Sequence, residues 1–150
     1  MSHIAERYHD ISCGHRVVGH ENKCRHLHGH NYRIHFRCEA EGLDTVGRVI
    51  DFGVIKEKLC AWLEETWDHK FLVWYKDPVM QFQFMVENEE YEIMRDFSDS
   101  LVWTLFNPTA ENMAQYLVKV VGPQQLEGTG VRLVSVKVEE TRKCSASFYL

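Results

Sequence analysis

No run of the 150-residue chain is apolar for long enough to span a bilayer. The opening Met-Ser-His-Ile-Ala-Glu-Arg lacks the basic-then-apolar order of a secretory signal. A cytoplasmic location and no membrane partner are therefore expected. Positive charge is not in excess: Lys plus Arg number 17 against 22 Asp plus Glu, a formal net charge of −5. That argues against a general nucleic-acid surface, which wants a basic stripe. The chain has no internal repeat, no low-complexity tract and no Pro/Gly/Ser linker, so residues 1–150 read as a single domain. It also lacks a disulfide framework. Its five cysteines, Cys13, Cys24, Cys38, Cys60 and Cys144, are odd in number and match no such spacing. Free thiols in a reducing compartment are the default.

What is present is an ordinary globular composition, 45% hydrophobic and 26% charged, sufficient for a real core. Residues 4–17 read as a strand of mixed polarity and 18–27 as a polar loop. From 30 to 39 the alternation is clean. Tyr32, Ile34, Phe36 and Cys38 fall on one side, and Arg33, His35, Arg37 and Glu39 on the other. A turn at 42–45 and a short strand over 47–50 follow. Asp51 then reads as a helix N-cap, with Phe52 in the core and an apolar stripe at Ile55, Leu59, Trp62 and Leu63. Asn107-Pro108-Thr109 opens a second helix, striped by Met113, Leu117, Val120 and Val121 and stopped by Gly122-Pro123. Strands are expected over 101–106, over 131–138 around Val134, Val136 and Val138, and over 145–149. The acidic stretch 87–99 reads as part helix, part loop. Strand pairs with segregated helices imply an α+β fold, an antiparallel sheet with helices on one face.

Chemistry enters with nine histidines, of which His20, His26, His28 and His30 lie within eleven residues. His26, His28 and His30 share strand parity. Neighbours on one face stand roughly 6.5 Å apart, and three in a row span about 13 Å, too far to converge on one ion. An adjacent pair can bind, with a third ligand from elsewhere. A hairpin folding back through the loop would bring His15 opposite His28 and His30. Three neutral imidazoles leave an open coordination position, the pattern of a catalytic zinc. Cys24 is either a fourth ligand, closing a structural site, or a base or nucleophile. Spacing alone leaves both open. In the structural alternative the chain is a zinc-binding interaction domain, with the acidic stretch 87–99 as its contact surface.

Cys24-x-x-x-His28-Gly29-His30-Asn31-Tyr32, preceded by Ser12-Cys13-Gly14-His15-Arg16, resembles the 6-pyruvoyl- and 6-carboxy-tetrahydropterin synthase family. Val49-Ile50-Asp51-Phe52, Trp67-Asp68-His69-Lys70-Phe71-Leu72, Asn107-Pro108-Thr109-Ala110-Glu111-Asn112 and Val138-Glu139-Glu140-Thr141 follow in the family's order. The resemblance implies the tunnelling fold: an antiparallel four-stranded sheet with two helices on one face, closing into an oligomeric barrel of trimers paired into hexamers. It implies Zn²⁺ on His15, His28 and His30, with Cys24 as the catalytic thiol. Asp68 and His69 become a proton relay contributed across a subunit interface. Glu140 anchors the pterin and joins the relay. Thr109 and Ala110 line the pterin pocket, and Phe52 is a weaker substrate contact.

The implied substrate is 7,8-dihydroneopterin triphosphate. The three-residue interval between Cys24 and His28 resembles the 6-carboxy branch of queuosine and 7-deazaguanine synthesis, which releases acetaldehyde and triphosphate. The 6-pyruvoyl branch is the alternative. The chain departs from the family at Ile11-Ser12-Cys13-Gly14-His15, at Val73 after Leu72, and in a longer segment over 74–106.

Overall fold

The structure, a computed structural model, describes residues 2–81 and 91–150. Its backbone is a long antiparallel hairpin. β1 (Ile4–His15) and β2 (His28–Ala40) pair without a break from Ile4 opposite Glu39 to His15 opposite His28. Alternation fixes this register, because a one-residue slip would turn every apolar side chain to water. Tyr32, Ile34, Phe36 and Cys38 are buried on one face, as their alternation predicts, together with Ile11, Cys13 and His15 of β1.

Two helical rods pack on that face. α1 runs as Phe52–Ile55, a π turn at Lys56–Cys60 and Ala61–Thr66. The Asp51 carboxylate caps it by accepting from the Gly53 N–H at 2.7 Å. Ile55, Leu59 and Leu63 are completely buried, each contributing about 1.5–3 kcal/mol by leaving water. Phe52 departs from the core expectation. It is the first residue after the cap, at the open end of the helix, and is 57% exposed.

β3 (Lys70–Trp74), α2 (Tyr91–Asp99) and β4 (Leu101–Thr104) follow. The acidic stretch 87–99 is thus helical from Tyr91, and residues 87–90 lie outside the described residues. α3 runs as Ala110–Tyr116, a π turn at Leu117–Val121 and Gly122–Gln125. The chain ends with β5 (Val131–Glu139) and β6 (Ser145–Tyr149).

Among the described residues the sheet has six strands, in the order β4-β3-β1-β2-β5-β6. This corrects the four-stranded expectation. The antiparallel four, β1, β2, β5 and β6, are its centre and one edge, while β3 and β4 extend it in parallel. β3 can approach because Gly14 has no side chain; a Cβ there would stand 2.5 Å from the Phe71 ring.

Three local expectations also change. Residues 47–50 form no strand. The Asp44 carboxylate takes the N–H groups of Val46 and Arg48 and the Arg48 guanidinium, curling the segment into a loop. Gly122-Pro123 does not stop α3. The wider bonds of the preceding π turn change the carbonyl register that proline would otherwise meet, and Gly122 lets the helix lie on Leu133, where a Cβ would sit 2.8 Å away. In β5, Leu133 rather than Val134 is buried with Val136 and Val138. Arg37 pairs with Ser135 and Cys38 with Leu133, so Val134 is a bulge residue. No helix among the described residues is long and apolar enough to cross a membrane.

Candidate active site

The open end of the β1–β2 hairpin carries the imidazoles. Register places His15 directly opposite His28, with His30 one step inward across from Cys13. One ligand atom from each of His15, His28 and His30 falls within 4.8 Å of the others. His26 is excluded; it contributes its carbonyl, which accepts from His28 Nδ1 at 2.7 Å. His15 Nδ1 donates likewise to the Pro108 carbonyl at 2.6 Å. Both contacts hold the proton on Nδ1 and aim the Nε2 lone pair inward. The two Nε2 atoms stand 3.1 Å apart. Two lone pairs at that distance require a proton or a cation between them. His30 Nε2 is buried and makes no hydrogen bond. Burial lowers the His30 pKa, more than the nearby Glu140 carboxylate raises it, so the ring is held as a neutral donor. These three nitrogens fit a metal ion.

Glu140 follows β5 and places Oε1 3.3 Å from both His15 Nε2 and His30 Nε2. With no cation bound, a proton on His15 Nε2 would be shared with this carboxyl, which is held below the usual range first by that hydrogen bond and then by charge on the neighbouring imidazoles. Glu140 also lines a pocket of about 250 Å³ with Cys24, Thr109 and Ala110. Four of the site residues expected from sequence therefore meet in one cavity. Thr109 serves twice, since its Oγ1 also caps α3 by accepting from the Asn112 N–H at 3.2 Å. His20 and Cys144 share the wall. Sequence reasoning does not single them out: His20 is one histidine among several in the loop, and Cys144 is one of five free thiols. Phe52 is not among the lining residues.

Burial pushes the Cys13 and Cys38 thiols up to about 12, and raises Cys60 as well. None of these is available as a thiolate near neutrality. Cys24 is half-buried and Cys144 exposed.

Asp68 and His69 lie elsewhere. His69 lines a second pocket of about 470 Å³ with Ser12, Asn31, Lys70 and Ser100, and His30 borders it too. The imidazole cluster thus sits between two cavities, one reached through Glu140 and one through His30. His69 Nδ1 meets Asp68 Oδ2 at 2.7 Å, with the His69 side chain 80% exposed. Partial burial opposes ionisation of Asp68, but bonds from the Ser12 N–H and His69 outweigh it and keep the carboxyl below its ordinary value. The His69 backbone is left-handed, at φ 57°, and is pinned there by its N–H donating to the Ser12 carbonyl at 2.7 Å. Such a conformation costs a non-glycine residue about 1–2 kcal/mol.

A 6-carboxy-5,6,7,8-tetrahydropterin synthase from Rickettsia felis is 34% identical over 135 residues, 90% of this chain and 91% of that protein. An uncharacterized protein from Wolinella succinogenes superposes with a TM-score of 0.86 at 24% identity, covering 99% of this chain and 98% of that one. The Caenorhabditis elegans 6-pyruvoyl tetrahydropterin synthase superposes at 0.66 with 22% identity, covering 100% and 96%. The 6-pyruvoyl tetrahydropterin synthase family model matches residues 4–150. This chain belongs to that family.

Proposed function

We propose that the chain is a zinc-dependent lyase of the 6-carboxy-tetrahydropterin synthase type. It converts 7,8-dihydroneopterin triphosphate and one water to 6-carboxy-5,6,7,8-tetrahydropterin, acetaldehyde and triphosphate, within queuosine and 7-deazaguanine synthesis. The observation that carries this is the convergence of three Nε2 atoms beside a pocket holding both a thiol and a carboxylate. The names of the Rickettsia relatives support the choice of product.

His15, His28 and His30 would hold the ion, and three neutral nitrogens with an open position suit Zn²⁺. Bound there, zinc would polarise the side-chain oxygens of the substrate and stabilise charge that develops as protons leave carbon. Cys24 takes and returns those protons at Sγ. Glu140 accepts paired hydrogen bonds from the amino and ring N–H groups of the pterin, fixing its orientation, with Thr109 and Ala110 forming the wall. Asp68 orients His69 through Nδ1, leaving Nε2 to exchange protons with a thiol.

Within one chain His69 lines a different pocket from Cys24. The relay is therefore assigned across a subunit boundary of a homo-oligomer, a trimer-based barrel paired into hexamers. A Phe52 contact with substrate would be made toward a neighbour in the same way, since the ring is exposed.

The test is a product assay. Purified protein is incubated with 7,8-dihydroneopterin triphosphate, with and without a zinc chelator, and products are identified by mass spectrometry. Carboxy-pterin with acetaldehyde, both lost on chelation, is expected. Pyruvoyl-pterin without acetaldehyde would replace this reading with the 6-pyruvoyl branch. Folded, zinc-loaded protein with no turnover would replace it with a structural zinc domain.

A further inference from the structure

We propose that Arg16 and Asp77 form a clamp that positions Cys24, with Arg16 as the positioning residue. The inference rests on the assignment of Cys24 as the proton-moving thiol. It also gives part of the longer 74–106 segment a role in the site.

Cys24 sits in the middle of a three-residue 3₁₀ turn, Lys23–Arg25, with no side-chain cap. So short a turn has little stability of its own. Its shape is imposed by bonds to three successive carbonyls. The Lys23 carbonyl accepts from the His26 N–H at 2.9 Å, and the Cys24 carbonyl from the Val17 N–H at 2.7 Å. The Arg25 carbonyl accepts from Arg16 Nη1 at 2.7 Å. The last of these is the side-chain contact, and it depends on what holds the guanidinium.

Asp77 holds it. Arg16 Nε donates to Oδ2 at 2.5 Å and Nη2 to Oδ1 at 2.9 Å, a two-pronged pairing. The Asp77 side chain is 1% exposed, whereas the other carboxylates in ion pairs among the described residues are at least 17% exposed. A carboxylate this buried persists only when its lone pairs are matched. Here Oδ1 also accepts from the Val79 N–H at 2.9 Å, and the Asp77 N–H is tied to the Trp74 carbonyl at the end of β3. Asp77 is therefore a fixed post, Arg16 a strut and the turn bearing Cys24 the supported part. Pairing with Asp77 occupies one fork of the guanidinium and leaves Nη1 for Arg25. A lysine could pair with Asp77 but has no rigid fork to serve both partners.

Arg16→Lys separates the clamp from mere charge pairing. Retained zinc, a near wild-type melting temperature and KM within about threefold of wild type are expected, with kcat lowered about 10- to 100-fold, because displaced reacting groups cost rate more than affinity. The rate of Cys24 alkylation by iodoacetamide, followed site by site by peptide mass spectrometry, should change severalfold while Cys144 is unaffected. Arg16→Ala should regain part of both signals when ethylguanidinium is added. Wild-type kcat and wild-type Cys24 alkylation in Arg16→Lys would overturn the clamp. Asp77→Asn, of the same shape, is read in parallel by the same two assays. If neither variant folds, the pair is a stability element and the proposal falls. Failure of the wild-type protein to turn over substrate would overturn the reaction assigned above and not the clamp, since alkylation needs no turnover.

Discussion

His30 and His35 lie on the same strand, on opposite faces of the sheet, and keep different company. His30 stands among two other imidazoles, with ring centroids 5.2 Å from His15 and 4.9 Å from His28, and shares the single Glu140 carboxylate with His15. The partners of His35 are carboxylates, with Glu6 at 3.2 Å from Nδ1 and Glu139 on Nε2. Imidazoles whose lone pairs converge call for a cation from outside. An imidazole between carboxylates is satisfied by a proton. The residue type is identical, and the face of the strand decides which chemistry follows. The outer face continues the second pattern, with Asp10 bonded twice to Arg33 and Arg37 3.4 Å from Glu6.

This contrast can be broken most severely at His28. His28→Ala removes one of three converging donors and should lose both metal and turnover. The metal affinity should fall by more than the roughly 10- to 100-fold that loss of an outer partner costs, read as zinc per subunit after gel filtration. His28→Ala with full zinc would overturn the ligand set. Cys24→Ala comes next. It should keep zinc and lose turnover by about 10²- to 10⁴-fold, the range for a general acid–base group. Zinc loss in that variant would make the thiol a ligand and the site structural. Glu140→Gln should also keep zinc while weakening substrate binding, raising KM by on the order of tenfold or more, since the charge-assisted bonds to the pterin go. An unchanged KM would remove Glu140 from the pterin edge.

The smallest effect belongs to the other face. His35→Gln should leave zinc content and turnover intact and cost about 1 kcal/mol, as expected for a pair at the surface that water still reaches. Its sign with pH follows from Glu139, whose carboxyl is held below its ordinary 4.5 first by the His35 hydrogen bond. A carboxyl depressed in the fold stabilises above its unfolded pKa, and that contribution is lost as pH falls through the folded value. Urea midpoints measured from pH 7 down to about 3 should therefore converge for wild type and His35→Gln at the acid end. A constant gap would mean that the pair carries no proton-linked stability.

Much of this contrast was legible in the sequence, because strand parity and hairpin register are short-range properties. Alternation over 30–39 assigned Tyr32 inward and His35 outward, and fold-back of the hairpin nominated His15 as the third imidazole. Both depend on residues whose spacing the backbone fixes. What stayed hidden depends on contacts between distant segments. The parallel pairing of β3 with β1 rests on Phe71 covering Gly14, which no pattern within either strand announces. The hydrogen bond from His15 to the Pro108 carbonyl spans 93 residues and uses a backbone atom, so no residue type marks it. The two glutamates at 139 and 140 were separated by family resemblance and not by periodicity, since adjacent residues on a strand end are equivalent until the register is known.

The bulge at Val134 is what makes them inequivalent. Counting inward-facing positions from Leu133 in steps of two, an unbroken strand would turn residues 135, 137 and 139 toward the helices. Glu139 would then meet the imidazole cluster and Glu140 would face away. The extra residue advances the phase by one, so Val136 and Val138 are buried, Glu140 reaches His15 and His30, and Glu139 reaches His35. A single backbone insertion, braced by the Leu150 N–H on the Val134 carbonyl at 3.0 Å, therefore acts as a selector switch wired in at folding. Pairing the same residues without the bulge would exchange the two carboxylates between the cation site and the proton site, whereas excising Val134 would close the ladder with Leu133 still opposite Cys38 and Ser135 opposite Arg37 and leave each glutamate in place.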